Sequence, residues 1–250
     1  MVQTELICMC KTKLNWKNLH EETVMVIGND FDMECCFELH ASFGIKNLIS
    51  LGNGIAAKSP KGTVGGHIRL LCADIEIRES LQEYEGRISK IISRNVLERM
   101  QNKELAFENI YHLLKPGGEM GVVFNLNNFT DTWQKKLAST NRWEMCETSP
   151  LPAFFPGNME RDYYKKMLKR IGFRNVRSER EELPLRYNNG SDFLEKQFRV
   201  RDMTFCEPPE ELRGEFQRES RDLIWEEFGT GPTRFILHTI YLFAVKPSNS

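Results

Sequence analysis

Polar side chains follow three apolar segments of the chain at the points where those segments end. Asp30 comes shortly after the apolar run Thr23–Ile27, and Asp74 comes shortly after His67–Cys72. The turn Ser93–Asn95 stands in the same position after a third apolar run. In an open α/β sheet, ligands bind beyond the carboxyl ends of the strands. If the three runs are strands of one parallel sheet, these side chains can line a single ligand site.

A carboxylate in this position has two common roles, and the sequence around Asp30 allows both. An acid at the end of an apolar strand can accept hydrogen bonds from the hydroxyls of a nucleoside ribose. The position equally suits a turn carboxylate or a helix N-cap, and Asp32 could fill the capping role because Met33–Phe43 has helical spacing. Position alone leaves both interpretations open.

The elements that must position these residues alternate along the chain between helix-like and strand-like patterns. Ala106–Leu114 has one apolar helical face, and Lys115–Gly118 ends that helix with a proline and two glycines. Met120–Phe124 is then a short apolar run, typical of a strand covered on both faces. Such alternation predicts an α/β fold with a mostly parallel, doubly wound sheet and helices on both faces. Similar patterns predict strands at Leu6–Cys10, Ile88–Ser93, Val176–Pro184 and Phe235–Val245, a loop over residues 52–66, and helices at Glu160–Ile171 and within Phe205–Phe228.

Length and composition bound the class of protein. The 250 residues fit one domain over 1–250, with a poorly defined segment at 1–20 and an appended helical region within 125–235. Lysine and arginine number 34 against 35 acids, so we expect no nucleic-acid surface. No apolar run approaches the roughly 18 residues of a membrane span. Seven cysteines without C-x2-C spacing and five scattered histidines indicate a cytoplasmic protein with reduced thiols and no metal site.

Five segments share their pattern with one known family. Val26–Met33 joins an apolar strand end to Gly-x-Asp and a helix, and Ala73–Ile75 places an aspartate after an apolar strand. Phe107–Phe124 contains the turn Leu-Lys-Pro-Gly-Gly, Ile91–Leu97 ends in Asn-Val-Leu, and Tyr163–Val176 contains Ile-Gly-Phe. Together these segments resemble the class I S-adenosylmethionine-dependent methyltransferases, and within them the arthropod juvenile hormone acid methyltransferase-like group.

The resemblance implies a cofactor, S-adenosylmethionine, and a Rossmann-like sheet whose last strand is antiparallel. It implies that Asp30 holds the ribose hydroxyls and that Phe31 flanks the adenine. Asp74, with Ile75 beside it, would contact the adenine amino group. The residues expected to form part of the pocket floor are Ser93, Arg94 and Asn95.

One part of the chain departs from the family pattern. The family's first motif is a glycine-rich loop after the first strand, because only glycine leaves room there for the methionine part of the cofactor. The chain has no glycine between Leu6 and Lys13, where this motif is expected, so a degenerate or truncated first motif is predicted. A second alignment places the glycine-rich motif at Leu48–Ile55, which makes Asp74 the ribose carboxylate at close to the expected spacing of roughly 20 residues.

The expected reaction is methyl transfer to a small lipophilic acceptor that carries a carboxylate. A carboxylate is ionised at neutral pH and needs no general base, so holding the reactants in line supplies most of the rate. We therefore assign no catalytic residue and expect a small-molecule acceptor as partner; the sequence does not indicate an oligomeric state. The alternative is a catalytically defective relative, acting as a binding module or arising as a truncated gene product. A nicotinamide-dependent oxidoreductase is disfavoured, because no G-x-G-x-x-G follows a strand and opens a helix.

Overall fold

Strands and helices alternate through most of the chain, as the sequence predicts. The computed structural model describes residues 2–28, 32–52, 63–126, 136–137, 139–140, 142–143, 161–188, 192, 209–228 and 232–248. The strands are β1 (Thr23–Ile27), β2 (Asn47–Gly52), β3 (Thr63–Val64), β4 (Ile68–Cys72), β5 (Ile88–Arg94), β6 (Leu114–Asn125), β7 (Arg174–Tyr187) and β8 (Thr233–Val245). The α-helices are α1 (Val2–Lys13), α2 (Met33–Phe43), α3 (Lys103–Leu113), α4 (Arg161–Ile171) and α5 (Arg213–Phe228), and short 3-10 helices cover Arg78–Tyr84, Leu97–Arg99 and Glu210–Leu212.

These strands form one sheet in the order β3-β4-β2-β1-β5-β6-β8-β7. β1 pairs in parallel with β2 on one side and with β5 on the other. The parallel pairing continues outward from β2 to β4 and from β5 to β6. β8 pairs antiparallel with β6, and the two-residue strand β3 pairs antiparallel with β4. The predicted fold class, a mostly parallel doubly wound sheet with a last antiparallel strand, is confirmed.

Local sequence signals set the bounds of the helices. The carboxylate of Asp32 accepts a hydrogen bond from the backbone N–H of Cys35 and so caps the start of α2, while Gly44 ends this helix in the left-handed region at φ 64°. Asn102 caps α3 in the same way through the N–H of Leu105. After α3 the chain reverses at Gly117, whose φ of 74° favours glycine. The helix and strand predicted around this turn are confirmed.

Each face of the parallel strands is covered by helices. On one face, Val24 and Val26 of β1 pack in a buried cluster with Leu6 of α1 and Leu39 of α2. Because side chains alternate along a strand, neighbouring residues face the opposite way. On that opposite face, the ring of Phe124 in β6 contacts Tyr164 of α4 edge to face, with 5.2 Å between the ring centroids, and Phe107 of α3 contacts the same tyrosine. The central strands β1 and β5 are therefore buried on both faces, whereas β4 nearer the edge is partly exposed.

The chain divides into two compact units. The first contains Met1–Asn125, Gly157–Arg180 and Thr239–Ser250, and the second contains Leu126–Pro156 and Glu181–His238. In the second unit, Trp143 is buried against Phe216, with ring centroids 5.1 Å apart, and its indole N–H donates to Glu219. The single domain expected over 1–250 stays a prediction.

One predicted strand is wrong. Leu6–Cys10 lies inside helix α1 and not in the sheet. Leu6, Ile7 and Cys10 are buried whereas Glu5 and Cys8 are exposed, which is the pattern of one helical face and not of strand alternation. The lack of glycine between Leu6 and Lys13 is thus a property of a helix and carries no information about a cofactor loop.

Candidate functional site

The strand order changes direction between β1 and β5. From β1 the chain continues outward through β2 and β4, and it then returns to the other side of β1 with β5 and β6. The register places Ile27, at the end of β1, beside Ser93 near the end of β5. Crevices at the carboxyl ends of strands at such a switch point are where open α/β sheets bind ligands. We therefore expect a ligand site at this edge of the sheet.

A cavity of about 400 Å³ lies at this edge. Residues that end β1, β2 and β4, together with residues that follow β5, form its wall. The lining residues are Ile27, Gly28, Leu51, Ala73, Asp74, Ile75, Glu76, Val96, Met100 and Gln101. All of them belong to the first unit, and the volume is within the range of small-molecule sites. Within this lining, Asp74 and Glu76 are the charged side chains, so the described wall has acidic and apolar character.

Asp74 and Ile75 are held in place by the surrounding backbone. The Oδ1 atom of Asp74 accepts a hydrogen bond of 2.8 Å from the N–H of Glu76. The carbonyl oxygen of Ile75 accepts from the buried side-chain amide of Asn109, at 2.7 Å, which ties this turn to α3. The backbone N–H of Ala73 donates to the carbonyl oxygen of Gly52 at the end of β2. These bonds fix the carboxylate of Asp74 at the cavity wall, so both residues predicted here do line one site.

Glu76 has a structural task at the same wall. Its carboxylate accepts hydrogen bonds from the backbone N–H groups of Asn102 and Gln101, with donor–acceptor distances of 2.5 and 3.3 Å. It thereby joins the turn after β4 to the segment that leads into α3. Sequence reasoning missed Glu76 and Gln101, although the position of Glu76 two residues after Asp74 was a usable signal.

The position of Gly28 has no room for a side chain. A Cβ atom at this position would lie 2.7 Å from the backbone nitrogen of Asp32 and 2.9 Å from its Cβ, distances that real Cβ atoms do not show. The N–H of Gly28 also donates to the carbonyl oxygen of Leu51. Gly28 therefore lies directly against Asp32 at the start of α2. Asp30 and Phe31, which the sequence predicts as ribose and adenine contacts, lie outside the described residues.

Arg94 forms an ion-pair cluster with Asp32 and Glu38. It is not among the residues that line the cavity. Its side chain is 4% exposed, and its Nε and Nη2 atoms donate to both carboxylate oxygens of Asp32 at 2.9 and 2.7 Å. Nη1 donates to Glu38 of α2 at 3.3 Å. Burial alone would lower the pKa of Arg94, but the hydrogen bonds to Asp32 and the neighbouring charges raise it above its ordinary value. This cluster ties the end of β5 to the start of α2.

Ser93 and Asn95 also support the site through the backbone. The buried hydroxyl of Ser93 donates to the carbonyl oxygen of Ile27 at 3.2 Å, across the junction of β5 and β1. Asn95 adopts φ 52°, and its N–H donates to the carbonyl oxygen of Val123. Neither residue is among those that line the cavity, so their predicted role as pocket floor stays a prediction.

The order of the strands along the chain differs from the predicted order. The sequence predicts Leu6–Cys10 as the first strand and Thr23–Ile27 as the second, whereas in the structure Thr23–Ile27 is the first strand and lies at the centre of the sheet. The second strand is β2, which the sequence indicated only as part of a possible glycine-rich motif. In a nucleotide-binding sheet the ribose acid follows the first turn by roughly 20 residues, close to the end of the second strand. β2 ends at Gly52, so the last residue of this strand offers no carboxylate.

The described residues contain no group of three or more side chains that could hold a metal ion. Among the helices that the structure describes, none is long and apolar enough to cross a bilayer. The five described cysteines (Cys8, Cys10, Cys35, Cys36 and Cys72) are free thiols.

No protein-family model matches the chain, and no curated protein sequence matches it. Solved structures do match in fold. A protein of Bacillus halodurans assigned as a methyltransferase has a TM-score of 0.57 and 16% identity, with 98% of this chain and 99% of that chain covered. Phosphoethanolamine N-methyltransferase 2 of Haemonchus contortus, solved with phosphomonomethylethanolamine and S-adenosylhomocysteine, has a TM-score of 0.54 and 14% identity over 98% of this chain. The match covers 53% of the Haemonchus chain, so this chain spans about half of that enzyme's length.

A third match has a different reaction in its name. The [4+2]-cyclase SpnF has a TM-score of 0.54 and 12% identity, with 99% of this chain and 82% of that chain covered. At identities this low the similarity shows the fold and does not extend to the reaction. The chain therefore has the Rossmann-like fold of the class I S-adenosylmethionine-dependent methyltransferases.

Proposed function

We propose that the chain binds S-adenosylmethionine in the cavity at the carboxyl ends of β1, β2 and β4 and transfers its methyl group to a small-molecule acceptor. The observation that carries this proposal is the position of Asp74 in the cavity wall, at the switch point of a sheet with methyltransferase topology. When bound, the cofactor supplies a methyl group that is already activated by a sulfonium centre. The protein then has to bind and orient the two reactants.

Residues of the cavity suit an adenosyl group. The carboxylate of Asp74 can accept a hydrogen bond from the adenine amino group, and the apolar side chains of Ile75, Val96 and Met100 can pack against the ring. Gly28 lines the cavity without a side chain, because Asp32 occupies the space that a Cβ atom there would need. The acidic lining also favours a ligand that carries positive charge.

For the remaining residues we propose direct and indirect roles. Because the end of β2 offers no carboxylate, Asp30 would hold the ribose hydroxyls from the segment that follows β1 in sequence, and Phe31 would flank the adenine. Ser93, Arg94 and Asn95 would act as positioning residues. Their hydrogen bonds hold the ends of β1 and β5 and the start of α2, the elements on either side of residues 29–31.

The acceptor that we propose is a lipophilic carboxylic acid. Its carboxylate is ionised at neutral pH and can attack the methyl carbon without losing a proton, so this reaction needs no general base. Rate enhancement would then come from alignment of the carboxylate oxygen with the methyl carbon and the sulfur.

A second candidate function is a binding protein that has the fold but lacks methyl transfer. The observation in its favour is the end of β2 at Gly52, where nucleotide-binding sheets carry a ribose carboxylate. The two candidates differ in a measurable property, because only the enzyme must bind the methyl donor.

The test is a calorimetric titration of the full chain with S-adenosylmethionine and with S-adenosylhomocysteine. Asp74→Asn keeps the oxygen that accepts from Glu76 but removes the charge, and we expect it to weaken binding by about tenfold, since one charged hydrogen bond is lost. Glu79→Gln, an exposed acid in the 3-10 helix that follows, is the matched control and should leave the affinity unchanged. Transfer of a labelled methyl group to medium-chain and long-chain carboxylic acids then tests the acceptor. Absence of heat at millimolar donor would refute the enzyme and leave the binding protein.

A further inference from the structure

A second cavity lies at the opposite edge of the parallel sheet. Its volume is about 360 Å³, and it is lined by residues at or next to the amino ends of β1, β2, β4 and β5. Thr23, Asn47, Ile68 and Ile88 begin these four strands, and the register aligns Thr23 with Asn47 and Leu48 with Ile68. The cavity belongs to the first unit. It is distinct from the proposed methyl-donor site, which lies at the carboxyl ends of the strands.

The lining of this cavity is cationic. Lys46, Arg69 and Arg87 line it together with one carboxylate, that of Glu83. Among the described residues, no carboxylate lies within 4 Å of the guanidinium of Arg87, which is exposed to solvent. The Nζ atom of Lys46 is 3.4 Å from Glu21, but these side chains are 58% and 77% exposed, so the ion pair is weak. Two of the three cations are therefore available to an incoming anion.

Polar atoms at the same cavity are arranged around Tyr84. This tyrosine is buried, and the side chains of Glu83 and Arg69 lie beside its phenol. Burial, together with the neighbouring carboxylate of Glu83, raises the pKa of Tyr84, so its hydroxyl stays protonated at neutral pH. Because the phenol is neutral, it does not neutralise the charge of Arg69, whose guanidinium carries five N–H donors.

His67 contributes a ring nitrogen that lacks a partner. Its Nδ1 atom is 2.6 Å from the carbonyl oxygen of Gly65, which can only accept, so Nδ1 carries the hydrogen. The Nε2 atom is buried and has no hydrogen-bond partner within the described part of the chain. The ring stacks on that of His40 with 3.9 Å between the centroids, which fixes its plane. His67 is thus part of the cavity lining, but its Nε2 atom is closed off from solvent and so makes no contact with a ligand there.

We propose that this cavity binds a small organic phosphate monoester. Arginine guanidinium groups match the geometry of phosphate oxygens and bind them bidentately, and Arg69 and Arg87 flank the cavity with Lys46 as a third cation. A monoester carries a charge of about −1.5 to −2 at neutral pH, which suits a lining with three cations and a single carboxylate. The buried side chains of Leu48, Ile49 and Ile88 provide an apolar wall for the organic part.

The geometry also argues against a larger polyanion. A concave site of about 360 Å³ with three cations is suited to one phosphate group and a small substituent, whereas nucleic-acid binding needs an extended basic surface. A carboxylate or a sulfate ester carries a single negative charge at neutral pH, whereas a phosphate monoester carries nearly two. The proposed site should therefore discriminate between phosphate and sulfate esters of the same shape.

The test uses phenyl phosphate as the probe, with phenyl sulfate as its isosteric comparison, and ligand-observed NMR of the full chain. We expect saturable one-site binding of phenyl phosphate, weakened by added salt, and at least about fivefold weaker binding of phenyl sulfate. The variant Arg69→Gln/Arg87→Gln should lose about tenfold or more in affinity for phenyl phosphate, because two charge-assisted contacts are removed. Its matched control is Lys17→Gln/Lys169→Gln, which removes two exposed cations outside the cavity and should bind as the wild type does.

Arg69 also lies beside the buried Tyr84, so Arg87→Gln alone serves as a second variant whose side chain is exposed and has no buried neighbour of this kind. It should weaken phenyl phosphate and leave the thermal unfolding midpoint unchanged. Absence of saturable binding at about 10 mM probe, or equal affinity in the arginine variants and the lysine control, would overturn the proposal. Titration of S-adenosylmethionine into the same variants keeps the two sites separate, since its affinity should not change.

Discussion

Replacement of the buried partners Asp32 and Arg94 should separate the energy of an ion pair from that of a helix cap. Asp32 binds both Nε and Nη2 of Arg94 and at the same time accepts from the N–H of Cys35 at the start of α2. Asp32→Asn removes the charge but keeps a good N-cap, because asparagine caps helices about as well as aspartate. Asp32→Ala removes both functions. The difference between the two variants therefore measures the cap, and the asparagine variant measures the loss of the ion pair.

The expected magnitudes follow from the exposure of the partners. The side chain of Arg94 is 4% exposed, so removal of its bidentate partner leaves a buried cation with Glu38 as the nearest remaining acid. Breaking a buried pair costs about 3–5 kcal/mol, and the lower end applies because Glu38 is retained and Asp32 is partly solvated. We expect Asp32→Asn to cost about 2–3 kcal/mol and Asp32→Ala about 1 kcal/mol more for the lost cap. Arg94→Met leaves Asp32, Glu38 and the more distant Glu34 without their cation, and because these carboxylates can still reach water it should cost about 3 kcal/mol.

Urea-dependent hydrogen exchange on peptides from β1 and β5 is the assay, because it reports the stability of the first unit without contribution from the second. Arg170→Met is the matched control, since Arg170 pairs with Glu104 on the surface with its side chain 65% exposed, and it should have little effect. If Asp32→Asn proves as stable as the wild type, the bidentate pair does not hold this turn and the reasoning fails. Equal losses in Asp32→Asn and Asp32→Ala would contradict the capping role.

Two further predictions concern close packing and the reactivity of buried thiols. Gly121→Ala should destabilise the first unit by about 1–3 kcal/mol, because the added Cβ would overlap the Sγ atom of Cys10. Cys10→Ala in the same chain should restore much of that stability, and urea unfolding of both variants measures the difference. Among the described cysteines, the exposed Cys8 and Cys72 should react quickly with a thiol reagent at pH 8. Cys36 should react slowly, because burial raises its pKa to about 12. Peptide mapping of the labelled native protein measures the three rates, and rapid labelling of Cys36 would contradict the prediction.

The sequence predicts well where a local signal and the tertiary structure agree. Asp32 before a run with helical spacing marks the start of α2, and the proline and glycines after Leu114 mark the reversal into β6. Asp74 is placed correctly at a strand end because β4 has a clear apolar pattern and is followed by a turn. In each case the information lies within about ten residues, so no knowledge of distant contacts is needed.

The errors arise where the type of an element, or its place in the sheet, depends on contacts that are distant in sequence. Leu6–Cys10 is too short for its period to be read with certainty, and burial of Leu6, Ile7 and Cys10 against the sheet selects the helix. Which strand is central is likewise decided by pairing, because Thr23–Ile27 takes the middle position only through its partners β2 and β5. The cavity residue Glu76 was missed for the same reason. Its carboxylate becomes part of the wall through hydrogen bonds to the backbone of residues 101 and 102, about 25 positions away in sequence.

The net charge of -1 does not reveal that acidic and basic side chains line cavities at opposite edges of the sheet in the first unit. At the carboxyl ends, Asp74 and Glu76 are the charged groups of the described cavity wall, whereas at the amino ends Lys46, Arg69 and Arg87 outnumber one acid. Charges act over a screening length of about 8–10 Å in physiological salt, so each cavity responds to its own lining and hardly to the total. A balanced composition therefore excludes an extended basic surface but leaves room for a cationic ligand at one edge and an anion at the other. The two titrations test this separation directly, because each ligand should be sensitive to substitutions at its own edge and insensitive to those at the opposite one.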